Sequence, residues 1–400
     1  MGRRFSANRN QNSKLSCKLV NWKNFQNVDV DLANRVFIVG ANASGKSNFL
    51  DVIRFLRDLV KQSGGLQFAV EQRGGVSKIR CLAARKRSDI SIEVHLAENE
   101  SSDKILWKYY ISFKHTGGGI FAKQASIIEE KVLDENNKIV ALRKENDTEE
   151  DSETLKFTLL EQPNSNQKFR DIYHFFQDVQ YLHIVPQLIR DPDSYMIASN
   201  KEDFYGRNLL EKMDKTNKKT RDSYLKRVNE VLQLAVPQLS NIEFVKDKNG
   251  IPHLEATYEH WRALGAKQQE TQFSDGTLRL IGFMWALLDG QETILLEEPE
   301  LYLHSAIVKQ LPEFIFKLQR RKGRIRQVLI STHSYDILSN SGIGSEETLV
   351  LIPTKEGTDI KKAIEIDDVR KYLEAGFNMA ESVIPKVAPS NIQSILEFKD

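Results

Sequence analysis

One glycine-rich segment near the start of the chain has the spacing of a phosphate-binding loop. Gly40-Ala-Asn-Ala-Ser-Gly-Lys-Ser47 matches the pattern G-x-x-x-x-G-K-[ST] in full. The glycines let the backbone wrap around a phosphate, while loop N–H groups and the N-terminus of a following helix attract the anion. Lys46 is expected to reach the β- and γ-phosphates, and the Ser47 hydroxyl to coordinate Mg²⁺. The predicted nucleotide-binding residues of this segment are Gly40, Asn42, Ala43, Ser44, Gly45, Lys46, Ser47 and Asn48.

Two carboxylates follow an apolar run much later in the chain. Thr293-Ile-Leu-Leu leads directly into Glu297 and Glu298. A buried strand that ends in acids places its carboxylates at the carboxyl edge of a sheet, where α/β proteins bind their ligands. Glu297 would lie beside Mg²⁺, directly or through water, and Glu298 would act as general base on the attacking water. The alternative is an acidic pair on a solvated strand end.

The elements around these residues have the pattern of an α/β protein. Arg35–Val39 is an apolar run of buried-strand length, and apolar positions recur at helical spacing from Ser47 to about Lys61. The later part of the chain alternates between helices and strands: a helix from Thr277, a strand Ile294–Leu296, a helix from about His304, a strand Val328–Ser331 and a helix from Ser334. This alternation predicts a parallel sheet with helices on its faces.

The middle of the chain has a different pattern. Short alternating runs at Ile79, Ile90–Val94, Ile105–Ile111 and Ala125–Leu133 predict antiparallel strands, and the glycine-rich residues 64–75 predict a loop. Helical spacing is seen at Tyr205–Met213 and Asp222–Leu234. We therefore expect four segments: a loose basic tail at 1–14, an N-terminal α/β part at 15–100, an inserted β and helical region at 101–265, and a C-terminal α/β part at 266–400.

Composition excludes several classes of protein. The 400 residues carry 57 Lys and Arg against 55 Asp and Glu, so the net charge of +2 indicates no general affinity for nucleic acid. Two cysteines, Cys17 and Cys81, provide neither a disulfide framework nor a C-x-x-C zinc motif. No apolar run is long enough to cross a bilayer, and the basic N-terminus lacks the apolar core of a signal peptide. We expect a cytoplasmic protein that does not act at a membrane.

Three further segments complete a family resemblance. Asn24-Phe25 precedes the phosphate loop, Phe273-Ser-Asp-Gly-Thr277 precedes the acidic strand, and Ser331-Thr-His-Ser334 follows the next strand. With Glu297-Glu-Pro-Glu-Leu-Tyr-Leu-His304, these segments resemble the ATPase heads of the ABC superfamily, in the soluble branch that contains SMC proteins, RecF and OLD-type nucleases. The resemblance implies a P-loop ABC-type ATPase head with an inserted β/helical region. It covers roughly residues 15–62 and 270–340.

The resemblance also implies roles for individual residues. Ser274 and Gly276 would contact the γ-phosphate of an ATP bound by a partner protomer, so that hydrolysis needs a dimer or a higher homo-oligomer. His333 would hydrogen-bond the γ-phosphate, although a neighbour of a helix cap or a satisfied core histidine is the alternative. Asp275 departs from the usual second glycine of the signature. Gln72 would be the glutamine between the lobes, but its charged surroundings favour simple surface exposure.

Features of the family that this sequence lacks limit the functions that we expect. The inserted region has no heptad repeats, which argues against long coiled-coil arms. We also expect no Toprim nuclease domain. We therefore expect an ATP-binding and ATP-hydrolysing sensor-scaffold that controls a separate effector, such as a nuclease, in prokaryotic anti-phage defence. The alternatives are a RecF-like repair ATPase that binds DNA and a nucleotide-locked structural module without meaningful turnover. Basic stretches at Arg320–Arg326 and Lys215–Arg227 are candidate DNA contacts or solvated helix ends.

Overall fold

A computed structural model describes residues 14–85, 89–99, 102–116, 124–147, 151–192, 203–259, 265–290, 293–321 and 324–388. The expected tail at 1–14 therefore lies almost entirely outside the described residues. The strands are β1 Lys14–Trp22, β2 Phe25–Asp31, β3 Arg35–Val39, β4 Ile90–Asn99, β5 Ser102–His115, β6 Ala125–Asp134, β7 Ile139–Lys144, β8 Gln180–Leu182, β9 Leu239–Lys246, β10 Pro252–Tyr258, β11 Ala266–Gln269, β12 Ile294–Glu297, β13 Arg320–Arg321, β14 Arg324–Ile325, β15 Val328–Thr332, β16 Thr348–Thr354 and β17 Gly357–Lys362.

The helices are of very different lengths. They are α1 Lys46–Val60, α2 Leu66–Glu71, α3 Val76–Ile79, α4 Arg170–Asp178, α5 Pro186–Arg190, α6 Leu209–Lys215, α7 Lys218–Ala235, α8 Asp275–Leu288, α9 Ser305–Val308, α10 Leu311–Gln319, α11 Tyr335–Leu338, α12 Asp367–Glu374 and α13 Met379–Val387. The 18 residues of α7 make it the longest helix of the described part, which contains no long coiled coil. None of the helices described is both long and apolar enough to span a membrane.

The chain divides into two compact units. The first comprises residues 1–180, 292–295 and 319–400, and the second comprises residues 181–291 and 296–318. Strands β8 and β12 begin in the first unit. This division does not follow the three segments 15–100, 101–265 and 266–400 expected from the sequence, since β1 and β2 pair into the same sheet as β5, β6 and β7.

The phosphate loop belongs to a six-stranded sheet of the order β17-β16-β3-β15-β12-β8. β3 pairs in parallel with both β15 and β16, and β17 closes one edge as an antiparallel strand. All five residues of β3 and of β15 are buried, as is typical of parallel strands covered on both faces. The expected α/β fold class is confirmed.

A second sheet of the first unit packs against the helix that follows the phosphate loop. Its six strands are antiparallel, in the order β2-β1-β4-β5-β6-β7. Phe55 of α1 meets the ring of Trp22 edge-on at 5.2 Å and stacks on Phe113 at 5.4 Å. These ring contacts hold α1 against the antiparallel sheet.

The second unit contains a three-stranded sheet, β11-β10-β9, and helices α5 to α10. α8 is buried along almost its whole length, and Trp285 meets Tyr224 of α7 at 5.4 Å between ring centroids.

Three expectations from local pattern are wrong. Residues 64–75 are not all loop, because α2 lies inside them and buries Leu66, Ala69 and Val70. Ile79 ends a short helix rather than forming a strand. The expected helix Tyr205–Met213 begins only at Leu209. In the glycine-rich segment the glycines flank a helix whose apolar residues gain stability from tertiary burial, which the local sequence does not reveal.

Candidate nucleotide-binding site

The phosphate loop lies between β3 and α1, as expected, and its backbone requires both glycines. A Cβ on Gly40 would lie 2.3 Å from the Ser44 Oγ atom. Gly45 has φ +104°, and a Cβ there would lie 2.1 Å from the Asn24 amide nitrogen. Since a side chain at position 45 would meet both backbone strain and a steric clash, the loop can form only with glycine there.

Asn24 holds the loop from the side. Its amide nitrogen donates to the Ser44 carbonyl at 2.9 Å and to the Thr358 hydroxyl at 2.8 Å, and its oxygen accepts from the Asn48 amide at 2.7 Å. The Trp22 indole N–H donates to the Asn48 carbonyl at 3.0 Å. Sequence reasoning identified Asn24 as part of a family motif but missed Trp22 and Thr358, whose roles depend on contacts between distant parts of the chain.

The interior of the loop suits an anion. Lys46 is buried, and its Nζ donates to the carbonyls of Gly40 at 3.0 Å and Ala41 at 3.1 Å. The Ser44 Oγ is buried without a hydrogen-bond partner. A buried cation and an unsatisfied hydroxyl beside loop N–H groups fit a bound phosphate. Asn42, Ala43 and Ser47 are exposed, so the rim of the loop is open to solvent.

The fit for Mg²⁺ rests on the chemistry of the donors. Ser47 offers a hydroxyl oxygen in the first turn of α1. No group of three or more metal-binding side chains occurs in the part of the chain that the structure describes. A hydroxyl oxygen is a hard donor of the kind that Mg²⁺ binds, together with phosphate oxygens and water.

His333 lies at the same sheet edge as the phosphate loop. In the parallel pair of β15 and β3, Thr332 lies opposite Val39, so His333 and Gly40 each follow the carboxyl end of adjacent strands. The His333 side chain is exposed, so it is not a core histidine, and it directly precedes the cap of α11, as in the helix-cap alternative. Ser334 caps α11, with its Oγ accepting from the Ile337 N–H at 3.3 Å. The first unit thus brings the loop and His333 together at one edge.

Buried charges support α1 behind the loop. Arg73 forms ion pairs with Asp51 at 2.8 Å and Asp58 at 2.9 Å, and Lys23 pairs with Asp51 at 2.7 Å. Although burial raises the pKa of Asp51, the charges of Arg73 and Lys23 outweigh it and hold that pKa below its usual value. The neighbouring Gln72 is exposed at the end of α2, in agreement with the surface alternative.

The two glutamates at the end of β12, Glu297 as its last residue and Glu298 directly after it, belong to the second unit and are half-buried. Tyr181 donates its hydroxyl to the Glu297 carboxylate. Glu298 has φ +43°, a left-handed conformation that is uncommon outside glycine. The Arg279 guanidinium donates to the Glu298 carbonyl at 2.6 Å. Neither Tyr181 nor Arg279 was identified from the sequence as a partner of these glutamates.

The signature segment starts α8. Ser274 is its N-cap, and its Oγ accepts from the Thr277 N–H at 3.2 Å. A Cβ on Gly276 would lie 2.5 Å from the Tyr302 carbonyl oxygen, so close packing alone requires glycine at this position. The capping and packing contacts are intramolecular, and the expected contacts of Ser274 and Gly276 with a γ-phosphate stay a prediction.

The unusual Asp275 of the signature has its charge compensated. Its carboxylate pairs with Arg190 at 2.6 Å and accepts from the Gln187 amide at 2.7 Å. Arg190 also donates to the Phe273 carbonyl at 2.8 Å. Because the carboxylate is paired, it presents less net negative charge to an approaching phosphate.

The basic stretch Arg320–Arg326 is not a simple helix end. α10 ends at Gln319, and β13 and β14 form a two-stranded ribbon. Arg326 is buried and donates to the Gln180 side-chain oxygen at 3.0 Å, so at least this arginine has a structural role. Lys322 and Gly323 of this stretch lie outside the described residues.

Comparison with known proteins adds a family and a fold. The family model described as "AAA domain, putative AbiEii toxin, Type IV TA system" matches residues 35–339. The chain is similar to a crystal structure of an SMC head bound to the C-winged helix domain of ScpA, with 13% identity over 86% of this chain and 96% of the other, at a TM-score of 0.54. An SMC head from Pyrococcus furiosus shares 13% identity over 91% of this chain and 99% of the other, at a TM-score of 0.49. No curated protein matches the chain. The expected P-loop ATPase-head fold of the SMC type is confirmed.

Proposed function

We propose, because the chain belongs to this AAA-domain family, that it binds ATP at the Gly40–Asn48 loop and hydrolyses it as a homodimer or higher homo-oligomer. The observation that carries the proposal is the loop itself. Its glycines are required by close contacts, its lysine is buried among its carbonyls, and the Ser44 hydroxyl has no partner. Such a loop surrounds a phosphate with donors that need little rearrangement.

Each residue has a distinct task in this proposal. Lys46 binds the β- and γ-phosphates, and His333 donates a hydrogen bond to the γ-phosphate. Glu298 orients the attacking water and accepts its proton. Ser47 and Glu297 would hold Mg²⁺, which, when bound, neutralises charge on the phosphate oxygens.

A second protomer completes the proposed site. Ser274 and Gly276 of that protomer would contact the γ-phosphate through a hydroxyl and backbone N–H groups at the start of α8. The pairing of Asp275 with Arg190 supports this role, because it lowers the electrostatic cost of bringing the signature segment to an anion.

The proposed cellular role is that of a cytoplasmic sensor-scaffold that controls a separate effector, such as a nuclease, in prokaryotic anti-phage defence. The support is the description of the matching family, which names a putative AbiEii toxin and a Type IV TA system. ATP binding and hydrolysis would switch the assembly between two states and so control the effector.

Two substitutions test the ATPase. Lys46→Ala removes a charge-assisted contact to phosphate, and ATP binding is expected to weaken at least tenfold, about 1.4 kcal/mol. Glu298→Gln keeps the binding residues and removes the base, so ATP should still bind while turnover falls by about 10²–10⁴-fold. Titration with ATP, phosphate release and native mass with and without ATP are the measurements. Glu298→Gln with ATP should show at least the dimer.

Matched controls come from exposed ion pairs. Lys18→Ala removes a lysine that pairs with Asp29, and Glu313→Gln removes a carboxylate that pairs with Lys317 on α10. Both controls should bind and hydrolyse ATP like the wild type. Turnover in Glu298→Gln equal to that of the wild type would overturn the assignment of the base, and undetectable turnover in the wild type would favour the structural module.

A further inference from the structure

A buried arginine joins the signature helix to the acidic loop within the second unit. Arg279 of α8 is 2% exposed. Its guanidinium donates to two carbonyls, those of Ile184 and Glu298, the latter at 2.6 Å, and its Nε has no hydrogen-bond partner. Burial disfavours the charged guanidinium and lowers the pKa of Arg279, while the nearby charge of Glu300 favours the charged form. Within the described part of the chain, the hydrogen bonds of this buried charge all go to backbone carbonyls, which indicates that it holds the backbone in place.

The backbone that it holds is strained. Glu298 has φ +43° and Tyr302 has φ +65°. A residue other than glycine is strained in this region of backbone conformation, which persists only where the surroundings enforce it. The charge-assisted hydrogen bond from Arg279 to the Glu298 carbonyl is such a constraint. α8 contacts the same loop a second time, where Gly276 meets the Tyr302 carbonyl.

Arg279 is not placed to bind a nucleotide itself. A cavity of about 10 Å³, lined by Arg279, Phe283 and Glu297, adjoins it. That volume holds about one water molecule and excludes a phosphate group. An effect of Arg279 on hydrolysis would therefore act through the residues that it holds.

We propose that Arg279 is a positioning residue that fixes the backbone at Glu298, and so aims the Glu298 carboxylate at the water that attacks ATP. The inference rests on the proposed function, because it assigns the carboxylate of Glu298 as the base. It adds that the signature segment and the base are linked through one helix, because α8, which Ser274 caps, also carries the arginine that holds the Glu298 backbone.

The test compares Arg279→Met and Arg279→Lys with the wild type. Loss of the guanidinium lets the strained backbone at Glu298 relax. A shift of the Glu298 carboxylate by about 1 Å would slow ATP hydrolysis by about 10²-fold. In Arg279→Met we expect kcat to fall by about 10²-fold while the Kd for ATP changes less than threefold. Arg279→Lys keeps one charged donor and should recover part of kcat.

A double-substitution cycle separates positioning from general stability. If Arg279 acts through the Glu298 carboxylate, Arg279→Met should slow single-turnover hydrolysis much less in a Glu298→Gln background than in the wild type. The matched control is Arg143→Met, which removes a buried guanidinium that donates to the Phe157 carbonyl at 2.6 Å in the first unit. This control should lower the melting temperature without the selective loss of kcat.

Clear outcomes would overturn the inference. Unchanged kcat in a folded Arg279→Met protein, or an equal loss of rate in both backgrounds, contradicts positioning. If Arg279→Met does not fold, Arg279→Lys takes its place in the double-substitution cycle with Glu298→Gln, and the same comparison of rates applies. If Glu298→Gln itself hydrolyses ATP at the wild-type rate, the assignment of the base fails, which is distinct from the failure of Arg279 alone.

Discussion

Single side chains determine whether the phosphate loop can form. Asn24 is the clearest case, since one amide contacts the loop at Ser44, the first turns of α1 at Asn48 and the edge strand β17 at Thr358. Its amide nitrogen also fills the space in which a side chain at position 45 would lie. In the Asn24-Phe25 segment noted from the sequence, Asn24 therefore supports the phosphate loop.

Asn24→Ala removes three hydrogen bonds at the loop and leaves the Ser44 carbonyl and the Asn48 amide without these partners. We expect ATP affinity to fall about tenfold and the free energy of unfolding to fall by about 1–3 kcal/mol. Nucleotide titration and denaturant unfolding measure the two effects. Asn27→Ala, at an exposed position of β2, is the control and should change neither. If Asn24→Ala bound ATP with wild-type affinity, the phosphate loop would keep its shape without the hydrogen bonds of Asn24, which contradicts this prediction.

Among the elements, β6 of the six-stranded antiparallel sheet carries a titratable group in the core. Glu130 is fully buried and accepts hydrogen bonds from the Tyr109 hydroxyl at 2.9 Å and from the backbone N–H groups of Leu159 at 2.6 Å and Leu160 at 3.1 Å. Burial raises the pKa of Glu130 to about 7, against the effect of these donors. Because α1 packs against this sheet, the stability of the sheet affects the phosphate loop that precedes α1.

The raised pKa of Glu130 predicts a loss of stability with rising pH. Below the unfolded pKa of about 4.5 the carboxyl is protonated in both states, and its contribution is fully present. As the pH rises from there through about 7, the unfolded state ionises more easily, so the free energy of unfolding should fall. Denaturant unfolding between pH 5 and pH 8 measures this slope. Glu130→Gln should flatten it, and an equal slope in both proteins would contradict the assignment.

At the scale of the whole molecule, the predicted site residues fall into two groups. The phosphate loop and His333 belong to the first unit, and Ser274, Gly276, Glu297 and Glu298 belong to the second. In the proposed function both groups act on ATP, and ATP recruits a second protomer. The state that engages an effector would then be the ATP-bound one.

Co-purification tests the control of an effector. Expressed together with the product of the adjacent gene, Glu298→Gln should retain that protein when ATP is present, because it binds ATP without hydrolysing it. Lys46→Ala, which should not bind ATP, should retain much less. Pull-down and native mass of the complexes provide the measurement. A chain that stays free of this partner with ATP bound would exclude the proposed scaffold for this pair.

Local sequence was sufficient for the parts of the site that are contiguous in the chain. The loop from Gly40 to Ser47, the buried strand before it and the amphipathic helix after it follow from residue type and spacing, because each depends on backbone conformation and periodicity over a few residues. The alternation of elements after Thr277 likewise predicted the α/β class. Where tertiary burial competes with local pattern, as for α2 in the glycine-rich segment, this reasoning failed.

Contacts between distant residues required the folded chain. Asn24 meets Thr358, Arg190 meets Asp275, and Arg279 holds the carbonyl of Glu298. None of these pairs can be recognised from a local sequence pattern. A hydrogen bond depends on the distance and direction between two atoms, and here the fold brings together atoms that are far apart in the chain. Spacing along the chain can identify the chemical groups of a site, but their partners and their strain arise from packing in three dimensions.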